Sequence, residues 1–163
     1  MSKVLIRTLT AVGLAVAFGG GAMAAEVTKD VEVKGTPAQV WEKIGSWCSI
    51  SDWHPAIATC EASQEGDANV RHLTTKDGAK IKEKQTASGD TSYGYTITES
   101  PLPVENYNAT MSVEPSADGN NTKVTWSAQF DPKGASEDDA KTTVKGIFES
   151  GLEAIKLSME AGP

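Results

Sequence analysis

Residues 79–85 read AKIKEKQ, a strict alternation that, as a β-strand, puts Lys80, Lys82 and Lys84 on one face and Ile81, Glu83 and Gln85 on the other. The lysines belong in water. The same parity then turns a carboxylate and an amide inward beside an isoleucine, where a lone charge is costly unless paired or hydrated. Alternation recurs along the chain. Residues 27–34 carry Val27, Val31 and Val33 toward one side, with an irregularity expected near Lys29 and Asp30. Further strands are predicted over 57–63, 69–75, 79–87, 91–99, 106–114 and 122–130, punctuated by Gly, Asp, Asn or Pro. Such short links join antiparallel neighbours.

Three stretches switch to helical spacing. After Gly35, Thr36 is placed to cap a helix that Pro37 can start, and Val40, Trp41 and Ile44 follow at helical intervals before Gly45 ends it. A short turn of helix around 50–53 is stopped by Pro55. The closing segment, 136–159, opens with Ser136 as cap and Glu137, Asp138 and Asp139 in its first turn. It carries the stripe Val144, Ile147, Phe148, Gly151, Leu152, Ile155 and Met159. A sheet of about seven antiparallel strands must bury one face, and only the last helix is large enough to cover it. The predicted class is α+β, a curved sheet wrapped around a long C-terminal helix, with two short helices after the first strand. A cavity between sheet and helix is expected wherever that cover is incomplete.

The N-terminus changes the picture of where this fold forms. Lys3 and Arg7, a short apolar run and Ala22-Met23-Ala24 make an export signal, with cleavage expected between Ala24 and Ala25 and a periplasmic or secreted product. The run is short of the ~20 residues a membrane span needs, so no stable membrane insertion is expected. Of 163 residues, removal of the first 24 leaves 139, enough for a single domain over 25–163. Losing Lys3 and Arg7 moves the formal charge from −7 to −9, which argues against nucleic acid as a partner. The two cysteines, Cys48 and Cys60, are expected to pair in an oxidising compartment; two buried thiols are the alternative. With His54 and His72 they match no compact metal-ligand spacing, so no metal is expected.

Inward parity assigns Tyr93, Tyr95 and Ile97 to one face, with Tyr107, Ala109, Met111 and Val113, and with Val124, Trp126, Ala128 and Phe130. The candidate ligand-binding set is Trp53, His54, Arg71, Glu83, Tyr95, Tyr107, Met111, Trp126, Phe148, Gly151 and Leu152, with Gln85 as a further polar group. For Glu83 three roles stay open: an ion pair with Arg71, contact with a ligand, or acid/base chemistry.

The strings PAQVWEKI, WHPAIATCE, NVRHL, YGYTITESPLPVENYNATMSV and TKVTWSAQFDP resemble the START-like, or polyketide cyclase/dehydratase, superfamily over nearly all of the exported part. The resemblance implies the helix-grip fold. IATCE, YGYTI and ENYNAT are similar to the plant abscisic-acid receptors. By that similarity His54 takes the place of the lysine that holds the ligand's carboxylate, while Glu83 and Tyr107 match cavity residues. The receptors' gate sequence is not preserved in TTKDGAK, so hormone-driven phosphatase regulation is not implied.

The expected function is binding of a small hydrophobic or amphipathic molecule between sheet and helix. One alternative is an accessory partner of a periplasmic enzyme, since exported members of the superfamily accompany methanol oxidation systems. Another is a cyclase/dehydratase-like enzyme with His54 or Glu83 as acid/base and Tyr95 or Tyr107 as hydrogen-bond donor. The sequence carries no nucleophile triad, metal motif or phosphate loop, and no cofactor is expected.

Overall fold

The computed structural model describes residues 24–162; the expected export leader, apart from Ala24, lies outside them. The elements run β1 (Ala25–Lys34), α1 (Pro37–Ile44), α2 (Ile50–Trp53), β2 (Ile57–Glu65), β3 (Ala68–Thr75), β4 (Lys80–Ser88), β5 (Ser92–Glu99), β6 (Val104–Pro115), β7 (Asn121–Pro132) and α3 (Glu137–Glu160). The strands form one open, curved antiparallel sheet in the order β1-β7-β6-β5-β4-β3-β2, with α3 against its inner face. This is the helix-grip arrangement.

Local chemistry sets the element ends. Thr36 accepts a hydrogen bond from the Gln39 backbone N–H while the Gln39 side chain accepts from the Thr36 backbone, a reciprocal cap, and Pro37 follows it. Ser136 caps α3 by accepting from the Asp139 N–H at 3.1 Å. The irregularity expected near Lys29 and Asp30 is not there: β1 pairs with β7 in unbroken register from Ala25 opposite Phe130 to Lys34 opposite Asn121. Glu26, Thr28, Asp30, Glu32 and Lys34 alternate outward, and Lys29, on the inward parity, reaches Glu149 of α3 at 2.7 Å, so nothing forces a bulge.

A bulge does occur in β6, where the register with β7 shifts between Glu105 and Asn108. Asn106 adopts φ 50°, a left-handed conformation that asparagine tolerates better than most residues, and its amide donates to Asp131 Oδ2 at 2.8 Å. The extra residue lets both Val104 and Tyr107 turn inward. Strict alternation would have placed only one of them there.

α3 lies mainly along β1 and β7. Phe148 stacks on Trp126 with ring centroids 4.3 Å apart, and both are almost wholly buried. Such aromatic pairs contribute about 0.5–1.5 kcal/mol beyond their area burial. At the opposite edge, β2 is mostly solvent-exposed and presents Glu61 and Glu65, charges that discourage further strand pairing. That edge is tied down covalently, because Cys48 and Cys60 form a disulfide with Cα atoms 5.5 Å apart.

Candidate functional site

Because α3 sits over β1 and β7, the inner face of β3 to β5 is left partly uncovered, and a cavity of about 490 Å3 opens there. Ile57, Leu73, Ile81 and Ile97 form apolar walls from four strands, and Val144 and Ile147 of α3 form the roof. Buried Glu83, Tyr95, Tyr107 and Trp126 close the inner end. The mouth is made by exposed residues: Pro55 and Ala56 after α2, Lys76 and Asp77 in the β3–β4 turn, and Pro101 between β5 and β6.

Glu83 belongs to two environments. Its neighbour across the ladder is Arg71, whose Nε donates to Oε2 at 2.6 Å while Nη1 donates to the Trp47 carbonyl at 2.6 Å. Arg71 is fully enclosed, with its guanidinium 4.0 Å from the Trp47 ring centroid. Burial works most strongly against its charge, but Glu83, joined by Tyr93 and Tyr95, raises the pKa overall and holds the guanidinium protonated. The second carboxylate oxygen, Oε1, receives no hydrogen bond from any described residue. It is not among the fully enclosed unpaired atoms, and Glu83 lines the cavity. One oxygen is therefore committed to Arg71 and the other is offered to the cavity.

Two tyrosines complete this polar end. Trp126 Nε1 donates to the Tyr95 hydroxyl oxygen at 3.0 Å, and the Tyr95 hydroxyl bonds in turn with that of Tyr107, so the pair keeps one hydrogen to donate elsewhere. Burial pushes the hydroxyls of Tyr95 and Tyr107 above the ordinary phenol range, so both remain neutral donors at any physiological pH.

His54 lines the cavity but has no free nitrogen. Its Nδ1 accepts from the Ala56 backbone N–H at 3.2 Å, which makes Nε2 the protonated nitrogen, and Nε2 donates to the Ile147 carbonyl of α3 at 3.1 Å. Burial lowers its pKa, Arg71 adds to that effect, and the bond to Ile147 opposes it only in part. The ring is a neutral strut between α2 and α3.

Five predicted residues thus meet at the cavity: His54, Glu83, Tyr95, Tyr107 and Trp126. The others stand behind it. Arg71 supports Glu83, Trp53 packs edge-on against Trp126, and Phe148 stacks on the same indole. Met111 and Leu152 are core residues on the sheet and on α3. Gly151 does not face open space: a Cβ there would lie 2.7 Å from His54 Cδ2 and 2.9 Å from Trp126 Cζ3, so the stripe position is filled by its neighbours. Gln85 accepts from Asn69 Nδ2 at 2.8 Å outside the cavity lining, a correction to its expected inward role. It lies beyond the Val70–Lys84 pair that follows Arg71 and Glu83 on the ladder, where the cavity has already ended.

The apolar walls were readable from parity, since Ile81 shares a face with Glu83, and Ile97 with Tyr95. The mouth residues were not. Pro101 and Leu102 belong to an irregular turn, and no period in the sequence aims them.

The chain's relatives fit this geometry. Residues 24–160 match the model of the family described as polyketide cyclase/dehydrase and lipid transport. The protein XoxI from Bacillus cereus has a solved structure that is 35% identical, with a TM-score of 0.79, covering 83% of this chain and 96% of that one. A putative uncharacterised protein from Bacillus thuringiensis is 36% identical, with a TM-score of 0.78 and coverage of 83% and 99%. The Zhui aromatase/cyclase from a Streptomyces species shares the fold at 17% identity, with a TM-score of 0.67 and coverage of 84% and 94%. No curated protein matches the sequence significantly. By the match over residues 24–160, this chain belongs to the polyketide cyclase/dehydrase and lipid transport family.

Proposed function

We propose that the protein is an exported carrier or sensor that holds one small, mainly apolar molecule in the cavity between β3–β5 and α3. The observation that carries this reading is the lining: apolar side chains from four strands and α3 leading to a polar cluster of Glu83, Tyr95 and Tyr107 at the inner end. A volume of about 490 Å3 falls within the roughly 300–1,000 Å3 of small-molecule sites. Family membership points the same way, toward small hydrophobic ligands.

The geometry favours binding over cyclase-like catalysis. Acid/base turnover needs a group able to give and take a proton at a ligand atom, and both nitrogens of His54 are engaged with backbone. Glu83 is held by a buried guanidinium, which favours a fixed acceptor over a proton carrier. The export assignment draws support from the disulfide, which suits an oxidising compartment. Among the described residues no helix is long and apolar enough to cross a membrane.

The test is titration of the purified exported protein with the neutral fluorescent probe phenylnaphthylamine, alongside an Ile97→Trp variant that fills the cavity. Saturable binding by the parent and its loss in the folded variant are expected. Equal binding by both would place the site elsewhere.

A further inference from the structure

We infer that the cavity selects a neutral ligand carrying a hydroxyl, donated to Glu83 Oε1, and discriminates against carboxylates. This rests on the binding reading above and specifies which molecules satisfy it. The argument is a count of what the cavity's inner end can offer. Glu83 Oε1 is an acceptor without a donor among the described residues, and the bonded Tyr95–Tyr107 hydroxyl pair has one hydrogen left to donate on the inner wall. A ligand hydroxyl can give its proton to the first and accept from a tyrosine, satisfying both sides.

A carboxylate has no such match. The nearest cation, Arg71, spends Nε on Glu83 and Nη1 on Trp47; its remaining nitrogen, Nη2, has no partner but is sealed off from the cavity, which Arg71 does not line. Both His54 nitrogens bond to backbone. Thr143 donates to the Asp139 carbonyl, and the single hydroxyl hydrogen of Thr75 is shared between Asp77 and the Ala79 carbonyl. Lys76 is exposed at the mouth, where its charge is hydrated. A ligand anion at the inner end would therefore face the Glu83 oxygen with only tyrosine hydroxyls to stabilise it. An ammonium would leave a net positive charge beside the buried Arg71–Glu83 pair. A neutral alcohol or phenol introduces no charge at all.

Three probes with the same ring system separate these outcomes: methylnaphthalene, naphthalenemethanol and naphthoate, titrated calorimetrically at neutral pH and high salt so that the protein's overall acidity is screened. Naphthalenemethanol should bind at least as tightly as methylnaphthalene and about tenfold or more tighter than naphthoate. Naphthoate binding as tightly as the alcohol would overturn the inference while leaving the binding reading intact. Failure of all three would remove the binding reading and this inference with it. In Glu83→Gln the amide oxygen can keep the bond from Arg71, which turns the NH2 toward the cavity in place of Oε1. The preference for alcohol over naphthoate should then shrink severalfold, and an unchanged preference in the folded variant would refute the assignment to Glu83. The probe ranking is read on the unmutated protein, so the inference remains testable if that variant does not fold.

Discussion

Two glycines five positions apart on α3 should respond in opposite directions to the same substitution. At Gly146 a Cβ meets nothing within 4 Å, so Gly146→Ala collects only the helix-propensity gain of about 0.8–1 kcal/mol and should stabilise the protein. At Gly151 the same methyl would sit 2.7 Å from His54 Cδ2, 2.9 Å from Trp126 Cζ3 and 3.1 Å from His54 Nε2. Neither ring is free to retreat. His54 is held by its 3.1 Å bond to the Ile147 carbonyl, and Trp126 is stacked 4.3 Å from Phe148 and bonded to Tyr95. Overpacking of this kind costs about 1–3 kcal/mol, and losing the buried His54 bond adds about 1 kcal/mol or more. After the propensity gain, Gly151→Ala should be destabilised by about 1–3 kcal/mol, placing the two variants about 2–4 kcal/mol apart. Urea unfolding followed by tryptophan fluorescence measures both. If Gly151→Ala proves as stabilising as Gly146→Ala, the packing of His54 against α3 described above is wrong.

Free-thiol titration of the unfolded, non-reduced protein should find no reactive cysteine, and Cys48→Ser with Cys60→Ser should cost about 3 kcal/mol by freeing a loop with sequence separation 12; two titratable thiols would contradict the disulfide. His54 should make stability fall as pH drops. The unfolded ring takes a proton near its ordinary 6.5 while the buried ring resists, so stability should decline through that pH at up to about 1.4 kcal/mol per unit until the folded ring protonates. A His54→Gln variant that kept the same slope would assign it to another group. Arg71→Met leaves Glu83 buried without its cation and should cost about 3–5 kcal/mol, much of it recovered in the double variant with Glu83→Leu, as unfolding titrations would show. Lys84→Gln, one residue from Glu83 but exposed, should change stability by no more than about 0.5 kcal/mol; a larger loss would indicate an inverted strand register.

The sheet was legible because each strand alternates against a single buried face, and parity alone turned Glu83, Tyr95 and Trp126 inward. Parity fixes a face but not a depth. It could not separate Arg71, wholly enclosed behind Glu83, from residues that touch the cavity, because that depends on Trp47 folding back over the guanidinium. Likewise the stripe on α3 marked Val144, Ile147, Gly151 and Leu152 as inward without showing where the helix leaves the sheet. Thr143, Val144 and Ile147 roof the cavity, while Phe148 stacks on Trp126 of β7. The Asn106 bulge is invisible in the sequence for a related reason, since alternation does not register one extra residue after which the period resumes. His54 was marked by similarity as a binding residue. What the structure adds is that its hydrogen bonds are already used.

The most direct test of an apolar ligand in this cavity uses the isoleucine methyl groups, labelled with 13C and observed by NMR during titration with naphthalenemethanol. Ile50, Ile57, Ile81, Ile97 and Ile147 line the cavity, whereas Ile44 and Ile155 are buried in the core away from the lining. The predicted result is saturable shifts and ligand cross-peaks at the first five, with Ile44 and Ile155 nearly unmoved. Shifts concentrated at Ile44 or Ile155, or none at any of the five when the probe is near its solubility limit, would contradict a binding site between the sheet and α3.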